Sequence, residues 1–260
     1  MLGYTAAVCC FLFGIIAAKE TYVGYSVIRT VPKSENDVTI LDSLHHDKGV
    51  NFWIEPSHPG HDVDLMVSAG ELQQVTGKLN DAGISWKVFI HDVQGLIDNQ
   101  ELEDAVERFR SGRAFSFGTF HTHAEVNQWL EELAAKHPSI AQVETIGKTY
   151  EKRDMKLIKI GNNPNKPGIW IDGGIHAREW LSPATIIYMI NELVSKYDTD
   201  SEIKSLVDNV NWWILPVHNP DGYEYSRTSS RMWRKNRRPT GQSSWWAGEC
   251  IGTDLNRNWD

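Results

Sequence analysis

Residues 168–183 read GIWIDGGIHAREWLSP, and this stretch decides the fold. The apolar run Ile169-Trp170-Ile171 predicts a strand, Gly173-Gly174 ends it, and Ser182-Pro183 predicts a helix start with Ser at the cap and Pro at the first position. A strand, a short loop and a helix in that order form the repeating unit of an α/β layer with a mostly parallel or mixed sheet. His176 and Glu179 lie between them, at a strand end, where open α/β sheets place their sites.

The pattern continues on both sides. Downstream, the helix runs to about 196, a short helix covers 201–208, a strand covers 210–217, and Asn219-Pro220-Asp221-Gly222 reads as a turn. Upstream, Val126, Trp129, Leu130 and Leu133 share one face of a helix over 122–137, followed by strands near 142–147 and 155–160. Earlier still come a strand at 21–30, a helix at 34–47, strands at 50–54 and 62–68, a helix from Leu72 stopped by Gly83, and a strand at 84–93. That order is the split βαβ, ferredoxin-like α+β arrangement, expected to leave one sheet face open. A charged helical stretch, 98–110, ends in Arg110-Ser111-Gly112-Arg113. This basic junction is either a plain linker or a cut site for a trypsin-like protease after Arg110 or Arg113.

Composition sets the class. The chain has 260 residues, 41% of them hydrophobic, enough for one or two cored domains. Eleven tryptophans point to large packed surfaces or aromatic clefts. The net charge of −8 argues against nonspecific nucleic-acid binding. Residues 19–113 carry 9 basic and 16 acidic side chains, net −7, so the excess sits in the first part. Residues 5–18, TAAVCCFLFGIIAA, are too short for a membrane span and predict a cleaved secretory signal over 1–18, hence a secreted, extracellular protein without a membrane anchor. Cys9 and Cys10 would leave with it, and Cys250 would stand alone.

Three groups carry chemistry. His176 and Glu179 are a zinc-ligand pair of the His/Glu kind, or else a partly buried histidine paired with a local acid. Residues 227–238 hold six basic side chains and no acid. They read as a solvated loop, a nucleic-acid patch, or arginines facing a site where a guanidinium grips a carboxylate or a developing oxyanion. Asp254-Leu-Asn256-Arg257-Asn258-Trp259-Asp260 is either a polar turn or a carboxylate-holding Asn–Arg pair.

HAREW, NPDGY, RMWRKNRR and DLNRNWD, in this order and spacing, resemble the zinc metallocarboxypeptidases of the pancreatic carboxypeptidase A/B type. DVDLMVS and GISWKVFIHDVQGLID resemble their pro-segment, so the resemblance covers about 20–260. It implies a secreted zymogen with an activation pro-segment over 19–113 (globular part about 20–95) and a peptidase domain from 114. It implies one Zn2+ per complete catalytic domain, held in part by His176 and Glu179, with Asp254 orienting the histidine. Arg178 would line the substrate cleft, Arg234 would polarise the scissile carbonyl, and Asn256 with Arg257 would grip the terminal carboxylate. The partners implied are peptides with a free C-terminal carboxylate and a trypsin-like activating protease; a monomer is expected.

The family also uses a third zinc ligand, a general base and a tyrosine downstream, and a second cysteine for the position of Cys250. None of these appears by Asp260, so the peptidase domain is expected to be incomplete and the chain inactive alone. The alternative is a non-catalytic secreted short form whose pro-segment binds or inhibits a complete carboxypeptidase.

Overall fold

The computed structural model describes residues 19–112, 114–161, 163–244, 248–257 and 259. The expected signal segment and Arg113 lie outside these residues.

The first unit contains β1 (Ser26–Thr30), α1 (Glu35–Ser43), β2 (Val50–Ile54), β3 (Val63–Val67), α2 (Leu72–Asp81) and β4 (Trp86–Ile90). Its sheet has the order β2-β3-β1-β4, all antiparallel, as the split βαβ pattern requires. The alternation of apolar residues decides which face each covers: Ile28, Leu65 and Val67 pack against Leu41, Val75 and Leu79 of the two helices. Gly83, with φ of +69°, ends α2. Its N–H donates to Asn80 O and the next N–H, of Ile84, donates to Leu79 O, the paired bonds of a left-handed helix stop.

The other sheet face is not open. Val27 and Met66 pack there with Tyr22, Val93 and Ile97, and Met232 from the second unit packs against them. Val93 and Ile97 belong to α3 (Val93–Ser111), which starts five residues before the charged stretch because Asp92 caps it, accepting from Gly95 N. The first strand is shorter than expected because residues 22–25 form a turn closed by Tyr25 N→Tyr22 O, with Gly24 at φ of +77°.

The second unit contains α4 (His123–Lys136), β5 (Ala141–Lys148), β6 (Asp154–Ile160), β7 (Gly168–Asp172), α5 (Leu181–Ser195), α6 (Ser201–Asn209), β8 (Asn211–Leu215) and α7 (Pro220–Thr228). A hairpin of β9 (Pro239–Ser244) and β10 (Gly248–Ile251) and a 3-10 turn at Leu255–Arg257 follow. The sheet order is β5-β6-β8-β7, with β7 and β8 parallel and the other pairs antiparallel. Ile158, Ile160 and Ile214 pack with Leu130 of α4 and Ile190 of α5. Thr122 and Glu125 form a reciprocal capping box at the start of α4.

Two local readings change. Asn219-Pro220-Asp221-Gly222 starts a helix: the Asn219 side chain accepts from Gly222 N and Pro220 takes the first helical position. Ser182 does not cap α5, which begins at Leu181; its Oγ accepts from Gly174 N at 3.0 Å, tying the loop to the helix.

Candidate active site

The loop carrying His176 and Glu179 leaves β7 at Asp172 and passes tightly against α5. A Cβ at Gly173 would lie 2.4 Å from Ile186 Cδ1, and one at Gly174 would lie 2.8 Å from Pro183 Cγ. Backbone and side-chain bonds then fix it. Ala177 N donates to Arg234 O at 3.0 Å, Ser226 Oγ donates to Ala177 O at 3.0 Å, and Arg231 Nη1 donates to Arg178 O at 2.8 Å.

His176 is buried, and its two ring nitrogens face two carboxylates. Nδ1 lies 2.9 Å from Glu179 Oε1 and Nε2 lies 3.2 Å from Asp254 Oδ1. Arg234 Nε donates to the other oxygen of Asp254 at 2.9 Å, and its Nη1 is 3.7 Å from Glu179. Burial pushes the Asp254 carboxyl up, but the bonds from Arg234 and from Asn256 N outweigh it and leave the group at about 2. Burial likewise opposes ionisation of Glu179, which His176 and Arg234 nevertheless hold below its ordinary value.

The structure thus brings His176, Glu179, Asp254 and Arg234 together. Asn256 and Arg257 sit on the exposed 3-10 turn just beyond Asp254; Asn256 N donates to Asp254 Oδ1 at 2.9 Å, and Arg257 Nη1 turns back to Asn256 O. Arg110 is exposed in the last turn of α3.

Arg178 points to the first unit. Its Nη1 donates to Asn51 Oδ1 at 2.6 Å and its Nη2 to Phe52 O at 2.7 Å, both on β2. Burial, with Arg234 nearby, pushes its pKa down. A cavity of about 690 Å3 remains between β2 and the loop at 230–235. Nothing in the local sequence pointed to Asn51 or Phe52, because they act in a contact across 126 or more residues. Arg231 was visible only as one member of the basic run; it stacks on Trp180 at 3.8 Å while holding the Arg178 carbonyl.

The basic run is not simply a solvated loop, although Lys235 and Arg238 are exposed. Arg227 and Arg231 lie over Trp180, and Arg237 lies over Tyr225 and Trp233. Among the described residues it makes no ion pair with the acidic first unit. The units meet instead through bonds such as Glu20 N→Ser229 O and Arg231 Nη2→Gln100 Oε1.

A family model described as zinc carboxypeptidase matches residues 126–260, and one described as carboxypeptidase activation peptide matches 28–100. The chain belongs to the zinc carboxypeptidase family. Carboxypeptidase A2 of Mus musculus is 39% identical over 252 residues, covering 96% of this chain and 59% of that protein. Carboxypeptidase A1 of Homo sapiens is 35% identical with the same coverage. The carboxypeptidase A structure from Helicoverpa armigera superposes with a TM-score of 0.82 at 29% identity, over 93% of this chain and 59% of that one. Thrombin activatable fibrinolysis inhibitor superposes at 0.74 and 29% identity, over 90% of this chain and 58% of that one. The chain therefore spans about three fifths of the length of the relatives it matches.

An imidazole nitrogen and a carboxylate, as on His176 and Glu179, are donor types that zinc accepts. With Nε2 held by Asp254, the other ring nitrogen of His176 faces Glu179, the arrangement in which a second carboxylate fixes the tautomer of a metal-bound histidine. Among the described residues no group of three or more His, Cys, Asp or Glu side chains is arranged to hold a metal ion. His218 lies apart from this cluster, its Nδ1 buried without a hydrogen bond and 3.4 Å from Asp172 Oδ1. Cys250 is exposed, and none of the described helices is long and apolar enough to cross a membrane.

Proposed function

We propose that this chain carries the activation segment and the first part of the catalytic unit of a secreted carboxypeptidase zymogen that removes C-terminal residues from peptides. The observation that carries the reading is the four-residue cluster of His176, Glu179, Asp254 and Arg234, with Arg178 beside it held by β2 of the first unit.

In this reading His176 and Glu179 supply two zinc donors and Asp254 orients the first. Zinc bound there would polarise a carbonyl and activate water. Arg234 offers a guanidinium where negative charge develops on the carbonyl oxygen. Asn256 and Arg257 hold the terminal carboxylate and so set which peptide bond is presented. The first unit withholds Arg178 by giving it a side-chain amide and a backbone carbonyl, the neutral acceptors that a bound peptide also offers. Residues 1–18 direct secretion, and cleavage after Arg110 or Arg113 releases the segment.

Carboxylate recognition tests the reading in the chain itself. After limited trypsin treatment and removal of the first unit, a peptide with a free C-terminus should bind about tenfold or more tightly than its C-terminal amide, as expected for loss of a charge-assisted pair. Arg257→Ala should erase that difference. Equal binding of acid and amide by the parent chain would remove the exopeptidase reading.

A further inference from the structure

Activation by cleavage creates a positive charge, and the fold holds a carboxylate where that charge is made. The last turns of α3, the loop after it and the first turns of α4 wall a cavity of about 360 Å3. Arg108, Ser111, Ala114, Phe115, Glu125 and Glu132 all line it.

Arg108 occupies Glu125 with both arms, Nη1 at 2.8 Å from Oε1 and Nη2 at 3.1 Å from Oε2, and Nη2 also donates to Phe120 O at 2.7 Å. That guanidinium holds the Glu125 carboxyl at about 2, well below its usual range. The nearby carboxylates have other partners, and His121 is the one neighbouring side chain among those described that also faces Glu125. Glu107 accepts from Ser116 Oγ at 2.6 Å, Glu132 accepts from Gln128 Nε2 at 2.8 Å, and His121 Nδ1 lies 3.4 Å from Glu125 Oε2 while its Nε2 is 2.7 Å from Ser116 O.

Both candidate cuts, after Arg110 and after Arg113, fall beyond Arg108. The departing segment therefore takes Arg108 away, and Glu125 stays. Water added across either bond leaves a carboxylate on the arginine and an α-ammonium on Ser111 or Ala114. Both of those residues line the same cavity. Phe115 holds Ala114 there, its ring stacked on His121 at 3.8 Å and on Trp129 at 4.8 Å. Ala114 adjoins that anchored ring.

We propose that Glu125 receives the new N-terminal ammonium in place of Arg108, so that the part of the cavity wall left on α4 and the loop before it becomes an α-ammonium site on activation. The site rests on the cleavage reading above. The new cation competes for the carboxylate that clasps α3, which loosens the severed segment, and it preserves the charge pairing at the start of α4 after the segment leaves.

The test is acylation of the new terminus. The full chain is cut with limited trypsin, the new N-terminus is identified by sequencing, and the separated downstream piece is labelled at pH 7.5 with an acetyl-transferring active ester. An α-ammonium stabilised by a carboxylate should react about fivefold or more slowly than the same N-terminal sequence as a free peptide, because its pKa lies above the usual ~7.7–8.0. Glu125→Gln retains the acceptor of the capping box and should restore the peptide rate; Glu132→Gln should not. Labelling of the parent piece at the peptide rate overturns the proposal, as does restoration by E132Q alone. If E125Q does not fold, the comparison of parent piece with peptide still decides. Absence of any cut between 110 and 114 removes both the site and the cleavage reading, whereas a cut there with peptide-rate labelling removes the site alone.

Discussion

In the sheet of residues 26–90, Ile28, Leu65 and Val67 lie under α1 and α2, while Val27 and Met66 on the reverse meet Tyr22, Val93 and Ile97. In the sheet of residues 141–215, Ile158, Ile160 and Ile214 are buried under helices, but Trp170 and Trp213, paired across β7 and β8, are 49% and 42% exposed on the reverse. The first sheet covers most of both faces with residues close by in sequence, and Met232 of the second unit adds to the reverse face. The second has one finished face, and its functional loop is held by hydrogen bonds and arginine stacking more than by a closed core. The first unit is therefore expected to fold by itself, and the second to keep its fold through its one covered face and the bonds around the loop.

That contrast can be broken most directly by core truncation. Leu65→Ala in residues 19–112 alone should cost about 2–5 kcal/mol in urea unfolding, the range for a fully buried leucine. Failure of that segment to fold before mutation would erase the distinction between the units. A smaller effect is expected at the contact between them. Asn51→Ala removes one charge-assisted bond to Arg178, worth about 1.5–3 kcal/mol. It should speed dissociation of the trypsin-severed segment at least several-fold; an unchanged rate would show that β2 does not hold Arg178.

Arg108→Gln should cost about 1 kcal/mol or less at neutral pH, as for other partly exposed ion pairs. Its pH dependence is set by Glu125, which Arg108 holds at about 2 in the folded chain. The contribution is fully present above the ordinary carboxylate range and lost as pH falls through about 2, so parent and R108Q unfolding midpoints should converge in strong acid. The smallest stability change belongs to the open face: Trp213→Ser should move stability by about 0.5 kcal/mol or less while raising solubility. A large loss would mean that this face is packed in solution.

Much of this was legible in the sequence. Alternating strands and helix-spaced apolar residues gave the element order of both units, since period decides which face is buried. His176 and Glu179 were legible because their spacing and the glycines before them are local features. Asn219-Pro220-Asp221-Gly222 was misread because the same residues cap helices and form turns, and the outcome depends on Tyr223 finding a buried place beneath α4. The hold of Asn51 and Phe52 on Arg178 was invisible, as was the stacking that lays Arg227, Arg231 and Arg237 of the 227–238 run over aromatic rings. Both are tertiary contacts that local charge and spacing do not encode.

Zinc titration of the chain tests the central claim most directly. A calorimetric isotherm should show one zinc per chain, bound more weakly than at a three-donor protein site. His176→Ala and Glu179→Gln should each abolish that binding, and Asp254→Asn should weaken it roughly 10–100-fold, the usual effect of losing the group that orients a ligating histidine. Zinc binding unchanged by His176→Ala, or no binding by the parent chain, would contradict the assignment of this cluster as the metal-binding part of a zinc carboxypeptidase.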